Sequence, residues 1–112
     1  MTHDEVASLE YAAVALQVRA ILVLGHTRCG AVATALTRRP VEGTMRILFQ
    51  HIASGHDPAR RDPMRVVEDN ARSQHRRLLD GSPILKDRVA SGRLMVAAAV
   101  HDIAAATVRV VT

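Results

Sequence analysis

The spacing of apolar residues at the start of the chain predicts a helix. Four apolar side chains recur every three or four positions: Val6, Leu9, Ala13 and Leu16. This period is that of one face of an amphipathic helix, which we place over residues 4–18. Thr2 followed by Glu5 fits a capping box, in which each side chain satisfies a backbone N–H group at the helix start. The chain is therefore predicted to open with a capped helix.

Three short apolar runs predict strands. The run 20–24 is Ala-Ile-Leu-Val-Leu. It is too short for a buried helix and it stops at Gly25, which is typical of a strand covered on both faces. Residues 94–100 predict a second buried strand, and residues 107–111 predict a third.

Capping and turn residues predict four more helices between the first two strands. Thr44 can cap a short helix, and the pairs Asp62-Pro63 and Ser82-Pro83 each place a cap and a proline where a helix begins. The four predicted helices cover approximately 29–36, 44–54, 63–79 and 83–92.

This order of elements predicts an α/β fold with a small, mainly parallel sheet of about three strands flanked by helices. The first strand would lie at an edge of that sheet. In the longest predicted helix, Val67, Ala71 and Leu78 are expected to face inward. The polar, turn-rich segment 55–62 is expected to be a loop. A chain of 112 residues is long enough for one domain only, which we take to cover 1–112.

Nothing in the composition indicates a membrane span or a secretory signal. No apolar run approaches the roughly 20 residues that span a bilayer, and the N-terminus, Met-Thr-His-Asp-Glu, carries acid rather than base. The single cysteine, Cys29, cannot form an internal disulfide, so no oxidising compartment is implied. We expect a cytoplasmic protein that is not bound to a membrane.

The chain is basic, with a formal net charge of +4 and with Arg at 14 of its 15 basic positions. Such a bias can indicate a nucleic-acid partner, which would need a basic face. The candidate arginines are Arg60, Arg61, Arg65, Arg72, Arg76 and Arg77. Two features argue against this partner. Glu68 and Asp69 dilute the charge of the same helix, and only Tyr11 and Phe49 are available to stack on bases.

The stretch with the clearest chemistry joins the first predicted strand to the helix that follows it. It reads Gly25-His26-Thr27-Arg28-Cys29-Gly30. In open α/β sheets, ligands bind beyond the carboxyl ends of the strands, and the imidazole of His26 and the thiolate of Cys29 are donors that Zn²⁺ prefers. The spacing alone is weak, because a buried cysteine and an unrelated histidine give the same pattern. The strand–turn–helix setting, with glycines on either side, favours a metal site.

Several segments together resemble the β-class carbonic anhydrases. They are Ser8–Ala12, Ile21–Leu24, Gly25–Val32, Val67–Gln74 with its Asn-x-x-x-Gln spacing, Ser82–Leu85, Gly92–Leu94 and His101-Asp102. The resemblance runs in order over nearly the whole chain, and the combination of motifs is specific to that family. It implies a truncated form of the β-carbonic-anhydrase fold.

The resemblance also implies a zinc site in which His26 and Cys29 are two of three protein ligands. The surrounding pocket would comprise Gly25, Thr27, Arg28, Gly30 and Tyr11. In the family the other ligand is the Cys of a Cys-x-Asp-x-Arg motif, whose Asp and Arg orient and gate the zinc-bound water. This sequence contains no such motif, so it resembles an N-terminally truncated member. Two ligands alone hold zinc loosely, and the isolated chain is expected to hydrate CO₂ to bicarbonate weakly or not at all.

Missing ligands have two candidate sources. Among the other histidines, His3 lies on an N-terminal segment that can fold back, and His101, where the family has Tyr, follows a strand that ends at the same edge of the sheet. The second source is self-association, because the first strand would have an unpaired edge and uncovered apolar faces, which proteins cover. We therefore expect a homo-oligomer, in which two His26/Cys29 pairs would be able to form a closed His₂Cys₂ site.

Three functions are compatible with the sequence. The first is a zinc-binding protein similar to β-carbonic anhydrases, with CO₂ and bicarbonate as substrates if it is active. The second is a non-catalytic oligomeric binding or assembly module. The third, against which the few aromatic residues argue, is an Arg-rich nucleic-acid-binding protein.

Overall fold

The computed structural model describes residues 1–55, 57–59 and 61–112. Within these residues the helices are α1 His3–Val14, α2 Gly30–Leu36, α3 Met45–Ser54, α4 Pro63–Gly81 and α5 Pro83–Ala90, and the strands are β1 Ala20–His26, β2 Met95–Asp102 and β3 Thr107–Val110. Of these helices, none has both the length and the apolar character that crossing a membrane requires. Arg60, one of the arginines considered for nucleic-acid binding, lies outside the described residues, as does His56.

The order of the elements and three of the predicted helix caps are confirmed, whereas the Thr44 side chain makes no capping hydrogen bond at the start of α3. At the start of α1, the backbone N–H of Thr2 donates to Glu5 Oε2 at 2.6 Å and that of Glu5 donates to Thr2 Oγ1 at 3.4 Å. Asp62 caps α4 by accepting from the N–H of Met64 at 3.1 Å, and Ser82 caps α5 in the same manner. These side chains satisfy N–H groups that the first helical turn leaves unpaired.

Helix α1 ends at Val14, four residues before the predicted bound at residue 18. The carbonyl of Tyr11 accepts from the N–H groups of both Ala15 and Leu16, and Gln17 then takes a φ of 55°. This left-handed conformation is incompatible with a continuing helix. Leu16 is consequently 63% exposed, so it does not belong to the buried face of α1 as its spacing suggested.

The three described strands form one sheet in the order β1-β2-β3. Strand β1 runs parallel to β2, and β2 runs antiparallel to β3. As predicted, β1 lies at an edge, and its outer side has no partner strand in the described ranges. The parallel ladder pairs Ala20 with Met95 at one end and His26 with His101 at the other.

The helices pack against one face of the sheet. One cluster joins α2, α3 and α4 to the strands, and its buried members include Val32, Ile52, Val67, Ala71, Ala98 and Val100. A second cluster joins α1, α4 and α5 to β1, and its buried members are Ala13, Ile21, Leu78, Leu85 and Leu94. The three residues of α4 that were predicted to face inward are thus buried. Because side chains alternate along a strand, the odd-numbered residues of β1 face the helices.

Gly25 lies where α4 approaches β1 closely. A Cβ atom at this position would be 2.9 Å from Cγ1 of Val67 and 3.6 Å from Cβ of Ala71. Contacts as short as the first do not occur between unstrained carbon atoms. The absence of a side chain at Gly25 therefore allows the start of α4 to lie over the carboxyl end of β1.

We expect Gly25→Ala to reduce the free energy of unfolding by about 1 to 2 kcal/mol, because overpacking a core typically costs about 1 to 3 kcal/mol and the Val67 side chain can adjust in part. Urea unfolding would measure this loss. Gly30→Ala is the matched control, since a Cβ at Gly30 meets no atom within 4 Å, and we expect its stability to be unchanged. Equal losses in the two variants would contradict the close approach of α4.

The opposite face of the sheet is open, which corrects the prediction that β1 is covered on both faces. Leu22 and Leu24 of β1 are 49% and 50% exposed. They share this face with Met95, Val108 and Val110, which are 55% to 61% exposed. An uninterrupted apolar run cannot reveal which faces of a strand the rest of the chain covers. We refer to these five residues as the open face.

A buried carboxylate joins α4 to β3. Glu68 is 4% exposed and accepts a hydrogen bond from Arg109 of β3, while Arg65 and Arg72 lie 3.5 and 3.6 Å from its other oxygen. The hydrogen bond from Arg109 lowers the pKa of Glu68, outweighing the burial that raises it. Arg72 also donates to the carbonyl of Val111 at 2.7 Å, which fixes the end of the chain against α4.

Candidate functional site

Hydrogen bonds from β2 fix the turn that carries the predicted metal donors. The N–H of Thr27 donates to the carbonyl of His101 at 2.9 Å, one residue beyond the last ladder pair. The N–H of Ile103 donates to Thr27 Oγ1 at 3.0 Å. Arg28 takes a φ of 56°, and the chain then enters α2 with Cys29 as its N-cap. The turn is therefore held to the end of β2 by both its backbone and a side chain.

His26 is the last residue of β1 and is exposed to solvent. Its Nδ1 lies 2.9 Å from the carbonyl oxygen of Thr27. Since a carbonyl only accepts, Nδ1 carries the proton in this contact, and Nε2 keeps its lone pair. Histidines that bind metals commonly hold their other ring nitrogen to a backbone carbonyl in this way. The local geometry thus suits metal binding through Nε2 of His26.

Cys29 is a half-buried free thiol in an open cleft at the carboxyl ends of β1 and β2. The cleft has a volume of about 760 Å³. The residues around it include Thr27, Arg28, Cys29, Asp62, Met64 and Asp102. This position beyond the strand ends is the one at which open α/β sheets bind ligands.

The carboxylate of Asp102 is engaged in the turn that follows β2. Its Oδ1 accepts from the N–H groups of Ala104 at 3.0 Å and Ala105 at 3.1 Å. An Asp side chain that bonds the backbone two and three residues onward stabilises a turn. Asp102 therefore shapes the rim of the cleft, and its contacts fit a structural role better than metal ligation.

The structure places one of the two further candidate ligands beside His26, although neither His26 nor His101 lines the cleft that Cys29 lines. His101 is paired with His26 in the parallel ladder, so the two side chains share a face of the sheet. His3 instead lines a small pocket beside Arg77. Arg77 lies 13 positions after Met64 on α4 (77 minus 64), which places it about 20 Å from the cleft at a rise of about 1.5 Å per residue.

The predicted pocket residues divide into three groups. Thr27 and Arg28 line the cleft beside Cys29. Gly25 faces α4, and Gly30 is the first residue of α2, with open space around it. Tyr11 is 64% exposed on α1 and does not line the cleft, because α1 packs near the start of β1 rather than near its end.

The donor atoms do not form a complete metal site as they stand. Across residues 1–55, 57–59 and 61–112, no group of three His, Cys, Asp or Glu side chains is placed so as to hold a metal ion. The imidazole of His26 and the thiol of Cys29 are nevertheless the donor types that zinc prefers. These two residues fit zinc chemically, and a third donor must reach them by side-chain rotation or from another chain.

The arginines considered for nucleic-acid binding are largely paired within the protein. Arg65 and Arg72 lie against the carboxylate of Glu68. Arg77 donates to Nδ1 of His51 at 2.8 Å, and burial is the main cause that lowers the pKa of His51. These contacts occupy three of the four arginines of α4, and they argue against a nucleic-acid-binding face there.

Sequence reasoning did not identify the second wall of the cleft, formed by Asp62 and Met64. The Asp62-Pro63 pair predicted that a helix begins here, but nothing in it indicated that the helix start would face Cys29. The signal that was available is Gly25, because a glycine inside an apolar strand indicates a close approach of another backbone segment.

Comparison with known families and structures agrees with this fold. The model of the family described as carbonic anhydrase matches residues 1–108. No curated protein sequence matches the chain significantly.

Solved structures of β-carbonic anhydrases share the fold. The β-carbonic anhydrase CafA of Aspergillus fumigatus superposes with a TM-score of 0.85 at 21% identity, over 97% of this chain and 56% of that one. The Coccomyxa enzyme in complex with acetazolamide has a TM-score of 0.73 at 27% identity, over 93% of this chain and 51% of that one. A tetrameric β-carbonic anhydrase of Sordaria macrospora has a TM-score of 0.72 at 20% identity, over 98% of this chain and 60% of that one. The chain thus spans about half the length of the structures it matches. By its sequence and its fold, this chain belongs to the β-class carbonic anhydrase family.

Proposed function

We propose that this chain is a zinc-binding β-carbonic-anhydrase-like protein in which His26 and Cys29 hold the metal. The observation that carries the proposal is the hydrogen bond from His26 Nδ1 to the carbonyl of Thr27. It orients the ring and leaves Nε2 for a metal, three residues before a thiol that lines the cleft. The family reaction is the reversible hydration of CO₂ to bicarbonate.

We further propose that the isolated chain catalyses this reaction weakly or not at all. Zinc with three protein ligands and one open position lowers the pKa of its bound water to about 7. The Cys-x-Asp-x-Arg motif, which in the family supplies a ligand and the Asp–Arg pair, does not occur in the sequence. Both the retention of the metal and the orientation of the attacking water are weakened by its absence.

Zinc content and CO₂ hydration, measured on the same samples, test this proposal. After dialysis against zinc-containing buffer and removal of free metal, we expect the unmodified chain to retain zinc and Cys29→Ser to lose most of it. Ala33→Ser is the matched control, because it adds a hydroxyl to the same cleft wall and leaves the thiol in place. In stopped-flow assays, the hydration rate should lie close to that of Cys29→Ser. Equal zinc retention by all three chains would contradict a site at Cys29, and rapid, Cys29-dependent hydration would contradict weak activity.

The open face supports a homo-oligomer as part of the same proposal. Five large apolar side chains, each roughly half exposed, lie on one surface beside the edge of β1 that pairs with no other strand of the described residues. Contiguous apolar patches and free sheet edges of this kind are normally covered in solution. This observation also favours the second candidate function, an oligomeric assembly module without catalysis.

A zinc ion shared between two copies does not fit pairing across the β1 edge. A closed twofold dimer that pairs two β1 strands makes them antiparallel. If they pair over their full length, the two His26 residues lie about 20 Å apart, since six residue steps of about 3.3 Å separate the ends of the strand. No single ion spans that distance, so we expect each copy to hold its own metal.

A further inference from the structure

A group of arginines near helices α2 and α3 has no carboxylate partner, in contrast to the arginines that surround Glu68. The members that make no ion pair with any residue that the structure describes are Arg38, Arg39, Arg46 and Arg61. All four are exposed, and Glu42 is the one acidic residue between positions 37 and 55. This side of the molecule therefore carries a net positive charge.

Three of these arginines line one cavity between α2 and α3, which we call the α2–α3 cavity. It has a volume of about 400 Å³. Arg38 and Arg39 come from the segment that follows α2, and Arg46 comes from the first turn of α3. The apolar part of its lining includes Val41 and Phe49. The cavity thus combines an apolar wall with cations that approach from two elements.

Arg38 lies between this cavity and a smaller one of about 250 Å³, which Arg61 also lines. The backbone of Arg38 is left-handed, with a φ of 54°, and its N–H donates to the carbonyl of Ala35 at 3.2 Å. Glycine usually occupies the left-handed position that ends a helix. Because an arginine occupies it here, the end of α2 places a guanidinium where the two cavities meet.

The guanidinium of Arg46 keeps donors available for a ligand. Its Nε donates to the carbonyl of Gly43 at 3.3 Å. Its two terminal nitrogens have no partner among the residues that the structure describes. The side chain is therefore anchored at one nitrogen, and the other two are able to bind an anion in the cavity.

This lining matches an organic phosphate. A guanidinium donates two parallel hydrogen bonds to the oxygens of a phosphate or a carboxylate. A carboxylate has two oxygens, whereas a phosphate monoester has three and carries a charge of about −1.5 to −2 at pH 7, which suits several guanidinium groups at once. The wall that includes Val41 and Phe49 suits the organic group. Sites for small molecules have volumes of about 300 to 1,000 Å³, a range that includes this cavity.

We propose that the α2–α3 cavity binds an organic phosphate monoester. Arg38, Arg39 and Arg46 bind its phosphate, and its organic group lies against Phe49. This site goes beyond the proposed zinc function and does not depend on it. The cavity and the cleft of Cys29 share no lining residue, and they lie at opposite ends of α2, whose seven residues span about 10 Å.

Isothermal titration calorimetry with phenyl phosphate tests the inference on the 112-residue chain. We expect phenyl phosphate to bind more tightly than inorganic phosphate, which lacks the ring, and than benzoate, which lacks the phosphate. Arg39→Gln and Arg46→Gln should each weaken its binding at least about 10-fold, because a hydrogen bond to a charged group contributes enough for such a factor. Arg19→Gln is the matched control, since Arg19 is exposed and does not line the cavity, and its binding should be unchanged. Circular dichroism would verify that the variants fold.

The variant Cys29→Ser separates this site from the proposed metal site. We expect it to bind phenyl phosphate as the unmodified chain does, even if neither chain retains zinc. Loss of binding in Cys29→Ser would place the phosphate on a metal held by Cys29 and would overturn the inference. Equal binding of benzoate and phenyl phosphate, or equal weakening in all three arginine variants, would overturn it too. So would a chain that binds a single-stranded oligonucleotide but not phenyl phosphate, or that binds neither.

Discussion

A chain with Leu24→Lys is expected to be monomeric under conditions in which the unmodified chain associates. Leu24 is one residue past the centre of the edge strand and is 50% exposed on the open face. In a twofold interface the substitution acts twice, and burying one Leu side chain contributes about 1.5 to 3 kcal/mol. Removing both side chains and introducing two ammonium groups should weaken association by at least about 100-fold, since about 1.4 kcal/mol corresponds to a factor of ten.

Sedimentation velocity over a range of concentrations measures this effect. Ile84→Lys is the matched control, because Ile84 is an apolar residue of similar exposure (46%) on α5, away from the open face. We expect this control to associate as the unmodified chain does. If the unmodified chain is a monomer at all concentrations, or if the two lysine variants behave alike, the open face is not the interface between copies.

Glu68→Ala is expected to lower the free energy of unfolding by about 2 to 3 kcal/mol. The side chain of Glu68 is nearly inaccessible, and it connects Arg109 of β3 with Arg65 and Arg72 of α4. Removing one partner of a buried ion pair costs about 3 to 5 kcal/mol where the other charge stays buried. Here the arginine side chains are 35% to 61% exposed, so water can solvate them and the loss is smaller.

The pH dependence of stability gives a second signature of Glu68. The pKa of Glu68 is lower in the folded chain than in the unfolded chain. The stabilisation that Glu68 gives the fold is therefore fully present above its unfolded pKa, about 4.3. It is lost as the pH falls through the folded pKa. The pKa of His51 is also lowered, which destabilises the fold as the pH falls below about 6.5. The pKa of Glu5 is lowered as well, mainly by the hydrogen bond from the backbone of Thr2. The Glu68→Ala variant should therefore show a shallower acid decline than the unmodified chain and keep the decline that begins near neutrality.

Urea unfolding at pH 7, at pH 5 and at a series of pH values below about 4 measures both effects, because the Glu68 contribution is lost only below its unfolded pKa. Asp80→Ala provides the control, because Asp80 is an exposed carboxylate on the same helix, and surface changes of this kind stay within about 0.5 kcal/mol. Equal stability of the two variants, or an unchanged acid decline in Glu68→Ala, would contradict the role of the carboxylate in joining α4 to β3.

Local signals accounted for most of the fold. The capping box of Thr2 and Glu5 and the cap–proline pairs at Asp62 and Ser82 predicted helix starts, because these side chains act on N–H groups within the next few residues. The predicted end of α1 was wrong, because Leu16 continues the apolar spacing although the backbone of Gln17 is left-handed and cannot continue the helix. Apolar spacing reports where a helix is possible, and the backbone turn that stops it had no Gly or Pro to reveal it.

The open face and the Glu68 contacts were beyond sequence reasoning for a different reason. Leu22 and Leu24 look the same in a sequence whether helices cover one face of the strand or both. Glu68 was interpreted as a charge that dilutes the basic face of its helix, yet its main partner, Arg109, lies 41 positions later on β3. Contacts of this separation depend on how α4 lies across the sheet, which no local pattern specifies.

The candidate site was predicted in part. The motif around His26 and Cys29 was identified from donor types and from its place after a strand, and the structure positions Cys29 in a cleft there. The pairing of His26 with His101 follows from strand register, which a sequence without turn constraints between the two strands leaves undetermined. Tyr11 was included through family resemblance alone, and α1 does not bring it to the cleft.

X-ray absorption spectroscopy at the zinc edge of the zinc-loaded 112-residue chain tests most directly whether His26 and Cys29 hold the metal. We expect one sulfur ligand at about 2.3 Å together with nitrogen or oxygen ligands at about 2.0 to 2.1 Å and the outer-shell scattering of imidazole. Cys29→Ser should remove the sulfur contribution. A spectrum with no sulfur, or with two sulfur ligands drawn from two copies, would contradict a zinc site built by His26 and Cys29 of one chain.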